Sequence, residues 1–230
     1  MDPRCLLYAG PTLHRAMAMA RLPLGDLAIL PPIRRGDVDR AIRSAREPGV
    51  LAIVDGYFHL QVLAVGHAEI RRALSAGWQV WGVASMGAIR GSEMRDMGMR
   101  GWGRAFETYC ADPAFRDDEV SLLHEQDPPY RELSEPLLHI RAALDDLVAD
   151  DTLTPAVRDA IVSDLMERWF GERTLALLRK LLQDHQVPGE RLAPWWAGFD
   201  KYRVKAHDLI SFLAARPWLD RRGGSPPIPV

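Results

Sequence analysis

Three stretches of the chain place chemically capable side chains where an apolar run ends. In Trp81-Gly-Val-Ala-Ser85-Met-Gly-Ala-Ile-Arg90-Gly-Ser-Glu93 the run stops at a serine and a helical pattern begins. A hydroxyl at such a point either caps the helix or acts as a nucleophile, with the N–H groups of Met86 and Gly87 placed to hold an oxyanion. The spacing leaves both readings open, and the segment is not G-x-S-x-G, because Val83 stands where the first glycine would be. A serine nucleophile needs a base. His67, just before a helix start, is either a capping histidine or, when neutral, such a base. Asp55 either holds its own turn or serves a site. Arg90 and Glu93, about one helical turn apart, form a surface ion pair of small weight, or Arg90 neutralises a carboxylate-like substrate.

These residues need a scaffold that gathers them. The first hundred residues alternate short apolar runs with amphipathic, helix-length segments, the βαβ signature of an α/β fold with a parallel sheet. Strands are expected at Cys5 to Ala9, Leu27 to Leu30, Val50 to Val54 and Gln79 to Ala84. Helices are expected at Thr12 to Ala20, Gly36 to Arg46, Glu69 to Ala76 and Met86 to Asp96. The carboxyl ends of parallel strands share one edge, and ligands bind in the crevice along it. Ala9-Gly10-Pro11-Thr12, Asp55-Gly56-Tyr57-Phe58 and Ala84-Ser85-Met86-Gly87 all fall there, so Gly10 and Pro11 join the candidate site.

After Gly98-Met-Arg-Gly-Trp-Gly103 strands largely vanish. Helices are expected at Arg104 to Cys110, Leu133 to Val148, Pro155 to Phe170 after a Thr154 cap, Arg173 to Gln186 and Tyr202 to Ala215. Residues 1–100 therefore read as an α/β part carrying Ser85, 101–222 as a mainly helical part packed on it, and 223–230 as a flexible tail. Trp195, Trp196 and Trp218 sit at helical spacing and read as core or partner-facing surface.

Composition excludes several classes. With 230 residues, 47% hydrophobic and 26% charged, the chain has the makeup of a globular protein with a substantial core. A formal charge of −2 gives no basic field for duplex binding, so no nucleic-acid partner is expected. No stretch approaches the roughly 20 apolar residues of a membrane span, and the N-terminal run is too short for a signal peptide; a cytoplasmic protein without a membrane partner is expected. Cys5 and Cys110 form no CxxC pair. Cys5 reads as a core residue, and a persulfide-carrying role for Cys110 has no supporting signal. Asp117-Asp118-Glu119 with His124 supplies ligand-type residues for a hard metal but matches no known cage, and reads as a solvated acidic loop, so no metal is expected. No Walker loop or GxGxxG appears, which leaves no sign of ATP or NAD and no expected cofactor.

Read in order, Ala9-Gly-Pro-Thr12, Ile53-Val-Asp-Gly-Tyr-Phe58, His67-Ala-Glu-Ile-Arg-Arg-Ala-Leu74, Ala84-Ser-Met-Gly-Ala-Ile-Arg90, Asp117-Asp-Glu-Val120 and Leu133-Ser-Glu-Pro-Leu137 make the chain resemble the TfuA family over most of residues 5–145. Lys205-Ala-His-Asp208 is a fainter match. TfuA proteins accompany YcaO enzymes, which activate a peptide backbone amide with ATP so that sulfur can replace oxygen. The resemblance implies hydrolysis of a thiocarboxylated, ThiS-like ubiquitin-like carrier to liberate sulfide for peptide thioamidation, and help to YcaO in holding its peptide or protein substrate. A hydrolase-like site with a Ser–Lys pair goes with the family. Ser85 matches the serine of the family's Ser-Met-Gly-Ala-Leu-Arg motif, whereas the His-Lys-Glu-Ile motif reads His67-Ala68-Glu69-Ile70 here. The chain's lysines are Lys180, Lys201 and Lys205. Lys205 is the best substitute if the helical half folds over the crevice, and His67 is the other. The expected catalytic set is thus Ser85, His67 and Lys205, with Gly10, Pro11, Asp55, Met86, Gly87, Arg90 and Glu93 as substrate contacts. Two other classes compete: a non-catalytic adaptor that docks YcaO and its peptide, favoured by Ala68, and a generic nucleotide-binding module, disfavoured by the missing phosphate loop.

Overall fold

The computed structural model describes residues 5–25, 27–57 and 62–220. Phe58 and the 223–230 tail lie outside the described residues. Five parallel strands, β1 (Cys5–Tyr8), β2 (Ala28–Leu30), β3 (Val50–Ile53), β4 (Gln79–Val83) and β5 (Arg100–Trp102), form one sheet in the order β2-β1-β3-β4-β5. The helices among the described residues are α1 (Pro11–Met19), α2 (Asp37–Ser44), α3 (His67–Ser75), α4 (Met86–Met94), α5 (Arg104–Ala111), α6 (Leu137–Ala149), α7 (Pro155–Glu167), α8 (Leu175–Asp184), α9 (Gly189–Ala197) and α10 (Val204–Ala215). The expected α/β fold is present.

The register explains the apolar runs. Leu7, Ala52 and Trp81 lie in one row across β1, β3 and β4, and Leu6, Leu51 and Val80 in the neighbouring row. The first row packs with Leu13 and Ala16 of α1 and with Leu209, Phe212 and Leu213 of α10. The second packs with Val38 and Ala41 of α2 and Ile70 and Ala73 of α3. A parallel sheet covered on both faces requires strands that are apolar throughout, as these are.

The C-terminal part is not one layer. Helices α5 to α9 build a separate core with Ala88 and Ile89 of α4, while α10 returns to cover the sheet beside α1. Its Asp208 caps α5, accepting the N–H groups of Arg104 (2.8 Å) and Ala105 (2.9 Å). Burial pushes that carboxyl up to about 7 despite the two amide donors.

Three elements depart from expectation. Strand β5 is Arg100-Gly-Trp, too short and too glycine-flanked to register as an apolar run. Helix α9 carries Pro194 in its interior and starts at Gly189 after Pro188, residues that read as breakers. Helix α6 starts at Leu137 rather than Leu133, because Pro136 sits at its N-cap. Thr154 and Thr174 cap α7 and α8 as their side chains allow, accepting from Val157 and Leu177. No helix among the described residues is long and apolar enough to cross a membrane.

Among the described glycines the tightest position lies where α4 leaves the sheet. A Cβ built on Gly87 would overlap the carbonyl oxygen of Ile53, and one on Gly82 would overlap that of Gly87. Both glycines let the first turn of α4 rest directly on the ends of β3 and β4, which fixes the residue before it, Ser85. Gly87→Ala is therefore expected to lower stability by roughly 3 kcal/mol. Gly189→Ala, where a Cβ meets nothing within 4 Å, should leave it nearly unchanged. Urea denaturation of the two variants checks this, and equal midpoints would refute it.

Candidate functional site

The strand order places β2 and β3 on opposite sides of β1, so the chain reverses direction across the sheet between β1 and β3. In an open α/β sheet ligands bind at the carboxyl edge of such a switch point. A cavity of about 270 Å³ opens there, lined by Pro11, Asp55, Gly56, Tyr57, Ser85 and Lys205, and walled by Ser121, Leu122, Leu123, His124, Gln126 and Phe170.

Asp55 organises the β1 side. Its Oδ2 accepts the N–H groups of Gly10 (2.8 Å) and Thr12 (3.0 Å), and its Oδ1 accepts the Thr12 hydroxyl (2.7 Å). Two of these donors belong to the start of α1, so Asp55 acts as a cap reaching across from β3. Gly10 serves through its amide and through its lack of a side chain, since a Cβ there would crowd Pro32.

Ser85 follows Ala84, whose φ of 65° lies in the left-handed region. A residue with a Cβ enters that region at a cost of about 1–2 kcal/mol. Ser85 itself has φ −89° and ψ −115°, outside the extended conformation of a side-chain N-cap, and its hydroxyl makes no capping bond. The capping reading is set aside, and the side chain, 4% exposed, faces the cavity. Of the two amides expected to hold an oxyanion, that of Gly87 is taken by the Val54 carbonyl (3.2 Å). That of Met86 opens α4 and has no intrahelical acceptor.

Lys205 enters from the first turn of α10. Its Nζ donates to the Val120 carbonyl at 2.9 Å, and the residue is 2% exposed. Burial holds the ammonium below its usual range, against the opposing pull of Asp55, Glu132 and Glu135. The resulting pair of a serine hydroxyl and a desolvated amine in one hollow is suited to nucleophilic catalysis.

The other expected residues gather elsewhere. His67 is half exposed, its Nε2 2.8 Å from Glu93 Oε2. Arg90 spends Nη1 on Glu93 (2.6 Å) and Nε on the Val65 carbonyl (3.0 Å). This trio does not line the cavity. Ala68 lies in a different, open hollow with Arg71, Arg72 and Ser75. The motif around it works through Glu69, which accepts the N–H groups of Gly66 (2.9 Å) and Gly36 (2.8 Å) and so ties the starts of α3 and α2 together.

The acidic run is solvated at Asp117 but pinned at Asp118 and Glu119. Asp118 accepts from the fully buried Arg173 (2.6 Å) and Glu119 from Arg141 (2.7 Å). These pairs anchor the wall at 121–126, whose Leu123 is held by the Ser134 hydroxyl (2.7 Å) and the Leu133 amide (2.7 Å). Of the wall residues only His124 stands out in the sequence, as a candidate ligand beside the acidic run; for the others and Phe170 only Leu-Ser-Glu-Pro-Leu, which supplies Ser134, is a hint. Cys5 is core, with burial pushing its thiol up to about 12.

A family model described as TfuA-like protein matches residues 55–174, a span that includes Asp55, Ser85 and the wall but stops before Lys205. Comparison with curated proteins found no match. The family model covers more than half of the chain, and the chain belongs to the TfuA-like family, which is associated with YcaO enzymes and thioamidation.

Proposed function

We propose that this protein hydrolyses a protein thiocarboxylate, the C-terminus of a ubiquitin-like sulfur carrier, and so supplies sulfide to a YcaO partner. Ser85 is the nucleophile and Lys205 its base. The observation that carries the reading is that a cap-free serine and a buried lysine 120 positions apart in the chain line one cavity at the switch point of the sheet.

In this reading the neutral Lys205 amine takes the Ser85 proton as Oγ adds to the thiocarboxylate carbon. The oxyanion is met by the Met86 N–H at the positive end of α4. Arg90 does not serve here, because Glu93 and Val65 hold it. As the C–S bond breaks, the Lys205 ammonium returns its proton to the departing sulfur, leaving hydrosulfide and an acyl ester on Ser85. Water, deprotonated by the same amine, cleaves the ester to a carboxylate and restores the serine. The family's association with YcaO enzymes supports such a partner, and a peptide substrate is proposed with it.

The adaptor reading draws on Ala68 alone, and an isolated chain that binds a thiocarboxylated carrier without turnover would carry it. Ser85→Ala is expected to lose roughly a thousandfold or more in sulfide release while its circular dichroism and melting stay those of the parent; unchanged release would reject the nucleophile.

Lys205→Met should be equally inactive, and its stability has a signed dependence on pH. The folded-state pKa of Lys205 lies below the ordinary 10.5, so between the two values the unfolded chain binds more protons. The stability tied to the neutral amine is complete above 10.5 and is lost as pH falls through the folded value. Lys205→Met therefore gains on the parent as pH is lowered, read by urea denaturation at a series of pH values. A stability difference independent of pH would mean that Lys205 is not buried as an amine.

A further inference from the structure

We infer that His139 is the positioning residue for Lys205, holding it through a buried relay that crosses from α6 to α10; the inference rests on the reading of Lys205 as the base. The first N–H groups of α10 have no intrahelical acceptors. That of Lys205 is accepted by His139 Nε2 at 3.2 Å. An amide can only donate, so Nε2 bears no proton, and the imidazole proton sits on Nδ1, donating to Glu135 Oε1 at 2.6 Å.

Glu135 also accepts Arg203 Nη1 (3.1 Å), which donates to Glu132 (3.0 Å), and Glu132 takes Arg15 of α1 (2.6 Å). The relay closes on itself. The Glu135 amide donates to the Arg173 carbonyl (2.7 Å), and Arg173 Nη1 donates to the Asp118 carbonyl (2.9 Å), two residues before the Val120 carbonyl that receives Lys205 Nζ. Lys205 is thus gripped at its backbone by His139 and at its amine by a loop tied to the same Glu135. His139, Glu135, Arg203 and Lys205 are all buried.

None of these groups besides Lys205 lines the cavity, so the relay acts on the base and not on substrate. A proton added at Nε2 would turn the acceptor into a donor facing the Lys205 amide and loosen that grip. The groups that set this proton's affinity are Glu135 just before α6, Lys205 on α10 and Arg203 before it, with Glu132 and Arg15 behind them. Burial, with Arg203, holds His139 below its ordinary range against Glu135, so the relay is intact at neutral pH.

The test uses the full chain with His139→Phe, which fills the site but neither donates nor accepts, and His139→Gln, whose amide can do both. Two readouts are taken: kcat and KM for sulfide release across pH, and acylation of Lys205 by acetic anhydride across pH, followed by peptide mass. His139→Phe is expected to lower kcat at least tenfold with KM within twofold, and to move the midpoint of Lys205 acylation by half a pH unit or more. His139→Gln should restore most of both. If His139→Phe does not fold, His139→Asn, too short to span both partners, is expected to behave as described for it. A Phe or Asn variant that matches the parent in both readouts overturns the inference even when Ser85→Ala is inactive. Sulfide release that survives Ser85→Ala overturns the functional reading instead, and the acylation midpoint still decides whether His139 governs Lys205.

Discussion

Burying an ammonium group away from water costs several kcal/mol unless it is paired or gives up its proton. Lys205 meets that cost because it rides on α10, whose Leu209, Phe212 and Leu213 are fully buried against the sheet and contribute about 1.5–3 kcal/mol each. The helix docks for hydrophobic reasons, and its first turn is carried to the cavity with it. Once there, the side chain finds a carbonyl for its amine and a histidine for its amide. Burial that lowers the affinity of the amine for a proton is also what its proposed role as base requires.

The rest of the architecture meets this lysine from the other side. The strand order brings the ends of β1, β3 and β4 together, and the Gly82–Gly87 contact draws α4 down until Ser85 stands at the rim of the switch point. Asp55 holds the start of α1 in place of any local cap. Neither part of the chain holds the cavity alone: the sheet supplies the hydroxyl, and the C-terminal helices supply the amine and, through Asp118, Arg173 and Ser134, a fixed wall.

Much of the scaffold was legible because parallel strands buried on both faces leave continuous apolar runs, as in Val50–Ile53 and Gln79–Val83. Strand β5 was not, since three residues with a central glycine carry no period. Ser85 could be found from local pattern, as a polar stop at a strand end. Its freedom from capping could not, because that depends on the backbone angles of Ala84 and Ser85. Lys205 and His139 belong to long-range packing, 120 and 54 positions from Ser85 in the chain, and no periodicity relates them. Arg90, Glu93 and His67 showed the reverse: neighbours of the serine in sequence that pair with one another outside its cavity.

The most direct test of Ser85 as nucleophile is to look for the bond it must form. Mixing the protein with a thiocarboxylated carrier, quenching in acid within the first turnover and mapping peptides by mass should show the carrier's C-terminal acyl group esterified to Ser85, appearing together with sulfide. Sulfide release with no acyl group on Ser85 at any quench time, or with it on another residue, would contradict the account.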